Sequence, residues 1–357
     1  MKSVHQIYRS KKRFYVELSI SSKTDTDQHL ANNNRSYHVT QQLNLKKKIT
    51  IDQLIGAINE NNIVLIQGAG GVGKSYTLET AALHWAKGKI WQEIDFVFLL
   101  KFRELNLFDE NIPLKEAIQI IYNSVFMNLK YDELLAVGDR VMILMDGLDE
   151  FANFNKSLTG VKSPYSCNDS SISSGLYSLI QPSCFPGHKL VITGRPSHCE
   201  QLRSSFKELS IDSFDILGFS PNQVNEYIEN YFSSNKEKTI NLKGIIEQSE
   251  NLQLMSRVPA FLWSLCELHQ ESESFGNITT MTPIFVWQLT IFLRQHLRQL
   301  NSTENVSNDP MDIFHKPTVK KLVLHLSKVA EMTLTRANCE EIGSSSIQSC
   351  RNDTYKR

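Results

Sequence analysis

The sequence predicts an α/β chain: a parallel sheet covered by helices, followed by an all-helical region. Three observations predict it. Four short apolar runs, "IVLIQ" (63–67), "FVFLL" (96–100), "VMILM" (141–145) and "KLVIT" (189–193), are continuous rather than alternating, as in strands buried on both faces of a parallel sheet. Stretches of helical character separate them, as parallel crossovers require. Beyond Ile216 such runs cease, and apolar residues recur at helical spacing.

Residues 1–50 read as a basic leader, with "RFYVELSI" (13–20) a candidate strand and "KTDTDQHLANNNRS" a polar loop. Ten Lys/Arg face only Glu17, Asp25 and Asp27 in this stretch. Its clusters "KKR" (11–13) and "KKK" (46–48) lack interleaved aromatics, so a solvated leader is expected rather than a nucleic-acid or lipid surface. From Ile51 to 215 an α/β domain is expected: "DQLIGAINE" suits a short helix, and the four strands follow. Residues 152–187, rich in Ser, Asn, Pro and Gly, are too long for an ordinary connection and read as a loop with a short helix near "GLYSLIQ". A helical domain is expected over 216–300. "FSPNQVNEYIENYF" opens it with Ser220 as N-cap, Pro221 at the first helical position and Gln223 completing a capping box. "PAFLWSLCELH" and "PIFVWQLTIFLRQHLRQL" add two helices opened by Pro259 and Pro283; Trp263 and Trp287 read as core. Residues 301–357 hold a polar linker, a helix at 319–334 and an aperiodic tail.

Composition excludes several classes. With 38 Lys/Arg against 38 Asp/Glu, no whole-chain field favours nucleic acid. The six cysteines have no paired spacing, which indicates reduced thiols and a cytoplasmic protein. Cys184, His188, His198 and Cys199 fit no common zinc pattern. The N-terminus has no apolar core of a signal peptide. The most hydrophobic window (283–297) is interrupted by Gln288, Arg294 and Gln295, so no transmembrane segment is expected.

The chemistry is carried by strand ends. "GAGGVGKS" (68–75) fits G-x-x-x-x-G-K-[ST], directly after "IVLIQ" and before the helix-like "YTLETAALHWAKG". Gly68, Ala69, Gly70, Gly71, Val72 and Gly73 would turn consecutive N–H groups into one concavity, backed by the positive end of the next helix. Lys74 would reach the β- and γ-phosphates and the Ser75 hydroxyl would ligate Mg²⁺; Tyr76 joins this nucleotide-binding set. The sheet is therefore expected to be a P-loop NTPase sheet. "VMILMDGLDEF" then brings Asp146 to the carboxyl end of a strand, where a nucleotide-borne Mg²⁺ needs a carboxylate. Asp149 and Glu150 are placed to orient or deprotonate an attacking water. In "KLVITGRP", Thr193 ends the strand and Arg195 lies just past it as a candidate γ-phosphate sensor; the competing reading is a surface residue before a turn at Pro196.

In this order "GAGGVGKS", "MILMDGLDEF" and "KLVITGRP" resemble the NACHT class of STAND NTPases found in NOD-like receptors, as do "FVFLLKFRELN", "DILGFSPNQVNEYIENYF" and "SRVPAFLWSLCELH". The resemblance covers about residues 51 to 300, and "LHLSKVAEMTL" resembles the start of that family's winged-helix domain. It implies a nucleotide-dependent switch, closed with ADP and opened by exchange for ATP. It further implies slow Mg²⁺-dependent hydrolysis, homo- or hetero-oligomerisation with related NACHT proteins, and a role in innate-immune signalling. It makes Pro259 the proline that packs on adenine, with Arg257 where the family carries glycine. An incomplete winged helix is expected, and no leucine-rich pattern recurs. Two rival readings stay open: a regulatory or dominant-negative interaction protein that holds nucleotide without turnover, and a P-loop phosphotransferase acting on a separate acceptor.

Overall fold

A computed structural model describes residues 18–22, 48–49, 54, 56–58, 63–123, 137–155, 171–181, 187–233, 235–271, 285–286, 289–290, 293 and 317–337. The chain divides into two units, Met1–Gln270 and Glu271–Arg357. The expectations for the "KKR" cluster, Trp287, the 301–310 linker and the tail beyond 337 fall outside the described residues.

The first unit is built on one mixed, mostly parallel sheet. Its strands are β1 (Ser19–Ser22), β2 (Lys48–Ile49), β3 (Ile63–Gln67), β4 (Phe96–Lys101), β5 (Val141–Asp146), β6 (Lys189–Gly194) and β7 (Asp212–Gly218), in spatial order β2-β1-β7-β3-β6-β5-β4. The four apolar runs are β3 to β6 within a residue at each end, and β7 to β4 run parallel. The leader supplies an antiparallel flank instead: β1 pairs with both β7 and β2. β7 was not marked by an apolar run. It continues through 215 to Gly218, and Asp215 is buried in it because Gln67 Nε2, directly across in β3, donates to its Oδ1 at 2.6 Å.

Helix α1 (Lys74–Ala86) links β3 to β4. Then come α2 (Phe102–Leu105), α3 (Leu114–Ile121) and α4 (Ile172–Ile180), before α5 (Pro196–Ser205) carries the chain from β6 across to β7. Pro196, a turn only in the competing reading of Arg195, is the first residue of α5, where its missing N–H costs nothing. Alternation divides the strands' residues between two layers. Leu65, Leu100, Ile143, Met145 and Ile192 join the core with Ile118 of α3, Leu176 of α4 and Leu202 of α5. The alternate set, Val64, Ile66, Leu144 and Val191, is equally buried on the face where α1 packs over β4, β5 and β6. At the outer edge, the Tyr122 hydroxyl accepts from Leu99 N at 2.7 Å and donates to Leu99 O at 2.8 Å. Burial pushes its phenol pKa up to about 12, against the lowering effect of the Leu99 bond.

Beyond β7 the unit is helical, as expected: α6 (Pro221–Tyr231), α7 (Lys236–Glu247), α8 (Glu250–Ser256) and α9 (Pro259–Glu271). The capping box at α6 is present, with Ser220 N donating to Gln223 Oε1 at 2.8 Å and Gln223 N to Ser220 Oγ at 3.4 Å. The second unit holds α10 (Pro317–Ala337), which contains the expected 319–334 helix; its Val319 is buried with Leu293. No helix among the described residues is long and apolar enough to cross a membrane.

β3 sits between β6 and β7, and the connections leaving the neighbours β3 and β6 run in opposite directions along the sheet. That reversal opens a crevice at their carboxyl ends.

Candidate functional site

The crevice is floored by the loop 68–75. Gly71 and Gly73 have φ of 78° and 106°, which turns the chain so that Thr77 N can close the first bond of α1 onto Gly73 O at 2.9 Å. Ala69, Gly70 and Gly71 are exposed, as is Ser75 at the first turn of α1, whereas Val72 is buried and Tyr76 half-buried. Lys74 is half-buried, and its ammonium donates to the Gly68 and Ala69 carbonyls at 2.7 and 2.9 Å. The lysine is folded back over the loop it serves.

Asp146 ends β5 and is buried. The Thr193 hydroxyl at the tip of β6 donates to Asp146 Oδ1 at 2.7 Å and accepts from Gly147 N at 3.0 Å. Thr193 therefore spends its one proton on orienting this carboxylate. Gly147 has φ 82°, and a Cβ there would lie 3.3 Å from Glu150 Cδ. Glycine thus permits the turn and makes room for Glu150 to curl over it. Asp149, mostly buried, pairs with Arg195 Nε at 2.8 Å, while the Arg195 side chain is 61% exposed.

The electrostatics of Lys74 show that these ends converge. Burial lowers its pKa most; Asp149 opposes that, Arg195 reinforces it, and Asp146 and Cys199 oppose it in turn. The structure thus brings Lys74, Asp146, Asp149 and Arg195 into one field, with exposed Gly70 facing Arg195: a Cβ on Gly70 would meet only Arg195 Nη2, at 4.0 Å. Among the described residues no group of three or more His, Cys, Asp or Glu could hold a metal. The oxygen donors at hand are Ser75 and Asp146, a sparse hard set that suits Mg²⁺ completed by phosphate and water.

Pro259 opens α9 beside the loop, because its neighbour Ala260 N donates to Gly71 O at 3.2 Å. Arg257 has φ −66° and ψ −18°, so a side chain there is unstrained. Its carbonyl accepts from Phe219 N at 2.7 Å, tying β7 to the start of α9. Next to this joint lies an aromatic cluster, of which the sequence marked Trp263 as core. Glu267 Oε1 accepts from Tyr231 OH at 2.8 Å and Trp263 Nε1 at 3.1 Å. Tyr227 lies between Phe219, against which it is tilted, and Tyr231, on which it stacks, and its phenol pKa is raised by burial and then by Cys266, Glu267 and Tyr76, which puts Tyr76 within its surroundings. The helical spacing of Tyr227 and Tyr231 was the available signal. Asn106, which bonds to the acidic turn from 44 residues away, closes the stretch "FVFLLKFRELN", where no spacing marked its role.

Residues 62–235 match the model of the NACHT domain. The chain is 29% identical over 223 residues to human "NACHT, LRR and PYD domains-containing protein 12", covering 61% of this chain and 20% of that protein. It is 29% identical over 242 residues to the rat "NACHT, LRR and PYD domains-containing protein 3", covering 65% and 22%. To "Protein NLRC5" of Ictalurus punctatus it is 28% identical over 243 residues, covering 63% and 13%. It spans about a fifth or less of the length of these relatives.

Proposed function

We propose, from the premise that this is a NACHT-domain protein related to the NOD-like receptors, that the chain binds ATP and ADP with Mg²⁺ and uses the bound state as a conformational switch for assembly. The observation that carries the reading is the shared field of Lys74, Asp146, Asp149 and Arg195 over an exposed glycine loop at the sheet's switch point. Lys74 exchanges the Gly68 and Ala69 carbonyls for phosphate oxygens. Ser75 and Asp146 hold Mg²⁺, which when bound neutralises developing phosphate charge. Thr193 keeps Asp146 aimed. Arg195 leaves Asp149 for the γ-phosphate, which frees Asp149, with Glu150, to orient water for slow hydrolysis. Pro259 and Tyr76 border the base and sugar end. Assembly with related NACHT proteins in innate-immune signalling, and a cytoplasmic location, belong to the same reading.

A second reading, a protein that retains nucleotide without turnover, is favoured by the Asp149–Arg195 pair, which occupies one of the water-orienting acids. Mass spectrometry of nucleotide released from the denatured protein, beside Lys74→Ala, tests the shared part. ADP from wild type and none from the variant is expected; equal release from both would remove Lys74 from the site. Phosphate release with ATP then separates the two readings, and Glu150→Gln is expected to slow it while sparing binding.

A further inference from the structure

We propose that Asn106 is a positioning residue for Glu150, acting through the backbone of the acidic turn; the inference rests on the hydrolytic reading above. Each acid of the turn has a different restraint. Asp146 is held by Thr193 and Asp149 by Arg195. Among the described residues the Glu150 carboxylate makes no hydrogen bond or ion pair, so its position depends on where its backbone is held. That backbone is gripped from outside the turn. Asn106 Nδ2 donates to Glu150 O at 2.8 Å, and Asn106 Oδ1 accepts from Ala152 N at 3.0 Å. One planar amide thus spans both sides of Phe151.

The surroundings make the grip rigid. The Phe151 ring packs on Phe102 with centroids 5.1 Å apart, and Phe102 is fully buried at the start of α2, the helix that Asn106 caps at its C-terminus. A few residues on, Glu110 accepts from Asn153 Nδ2 and, at 2.5 Å, from Ser173 Oγ, so the same segment also holds the turn's exit. The effect is registered at the carboxylate because Glu150 Cδ lies over Gly147, the residue that follows Asp146. A shift of the Glu150 carbonyl therefore moves the carboxylate relative to Asp146. Shifts on the order of 1 Å are enough to lower turnover severalfold to a hundredfold.

The test is phosphate release from ATP with MgCl₂ under single-turnover conditions, with ADP affinity by calorimetry, for wild type, Asn106→Ala, Asn106→Asp, Glu150→Gln and the Asn106→Ala/Glu150→Gln pair. Asn106→Ala is expected to lower turnover about tenfold with ADP affinity essentially unchanged, and to add little once Glu150 is Gln. Asn106→Asp keeps the acceptor for Ala152 N–H and loses the donor to Glu150 O, so it falls between. An undiminished rate in Asn106→Ala, with wild type active, overturns the positioning role alone. So does a full further loss in the Glu150→Gln background, or loss of ADP binding in both Asn106 variants, since either means the residue acts on the fold. Wild type that binds ADP and never releases phosphate overturns both this role and the hydrolytic reading.

Discussion

Gly218→Ala is a stringent test of how the sheet is joined to the helices that follow it. Gly218 has φ 88°, and a Cβ there would lie 2.3 Å from the Arg257 carbonyl oxygen, where ordinary contact begins at 3.4 Å. The left-handed backbone costs an alanine about 1 kcal/mol, and overpacking of a fixed backbone atom about 2 kcal/mol. Arg257 must retreat by roughly 1 Å, which breaks its bond to Phe219 N at a further cost of about 1 kcal/mol. The expected loss is about 4 kcal/mol, read from the urea midpoint at constant slope. Gly88→Ala is the control: φ is 67° and nothing lies within 4 Å of its Cβ, so only the backbone cost of about 1 kcal/mol applies. Equal losses in the two variants would refute the joint. Because α9 docks on Gly71 through Ala260, Gly218→Ala should also weaken ADP binding.

Three further outcomes follow from other contacts. Thr193→Val keeps shape but leaves the buried Asp146 carboxylate without its donor, and should cost about 2 kcal/mol of stability; denaturant unfolding checks it. His269 is buried, its pKa lowered first by burial and then by the Lys238 charge, against the bond of its ring to the Lys238 carbonyl. The unfolded chain therefore binds a proton that the folded one refuses, so stability is lost as pH falls below about 6.5 towards the folded pKa. His269→Gln should flatten that part of the stability–pH curve, and an unchanged slope would sink the assignment. Tyr122→Phe removes both bonds to Leu99 for about 1 kcal/mol, and should speed amide exchange at Leu99 in particular.

Much of the sheet was legible because its central strands are buried on both faces and keep their polar residues, such as Gln67, Asp146, Lys189 and Thr193, to the strand ends. β7 escaped because it has Asp212, Ser213 and Asp215; Asp215 is tolerated by a bond to Gln67, a pairing 148 residues apart that no local window contains. Helix α5 escaped because "PSHCEQLRSS" is mostly polar and only Cys199 and Leu202 are buried. The candidate site divides the same way. Its glycines, Lys74 and the acids are declared by spacing along the chain. Their supports, the Asn106 side chain under Glu150 and the Arg257 carbonyl against Gly218, act on backbone atoms of distant segments, which no local spacing reveals. Arg257 shows the converse: its αR backbone accommodates a side chain without strain.

The phenol on β4 bears on how such chains avoid sticking to one another. An open strand edge is a template for a foreign strand. Tyr122 satisfies both outward groups of Leu99 at the middle of that edge, so an incoming peptide would have to evict an already bonded partner before gaining a bond of its own. The opposite flank is covered by the leader's own strands. A fibril seed therefore finds no free template at the Leu99 step.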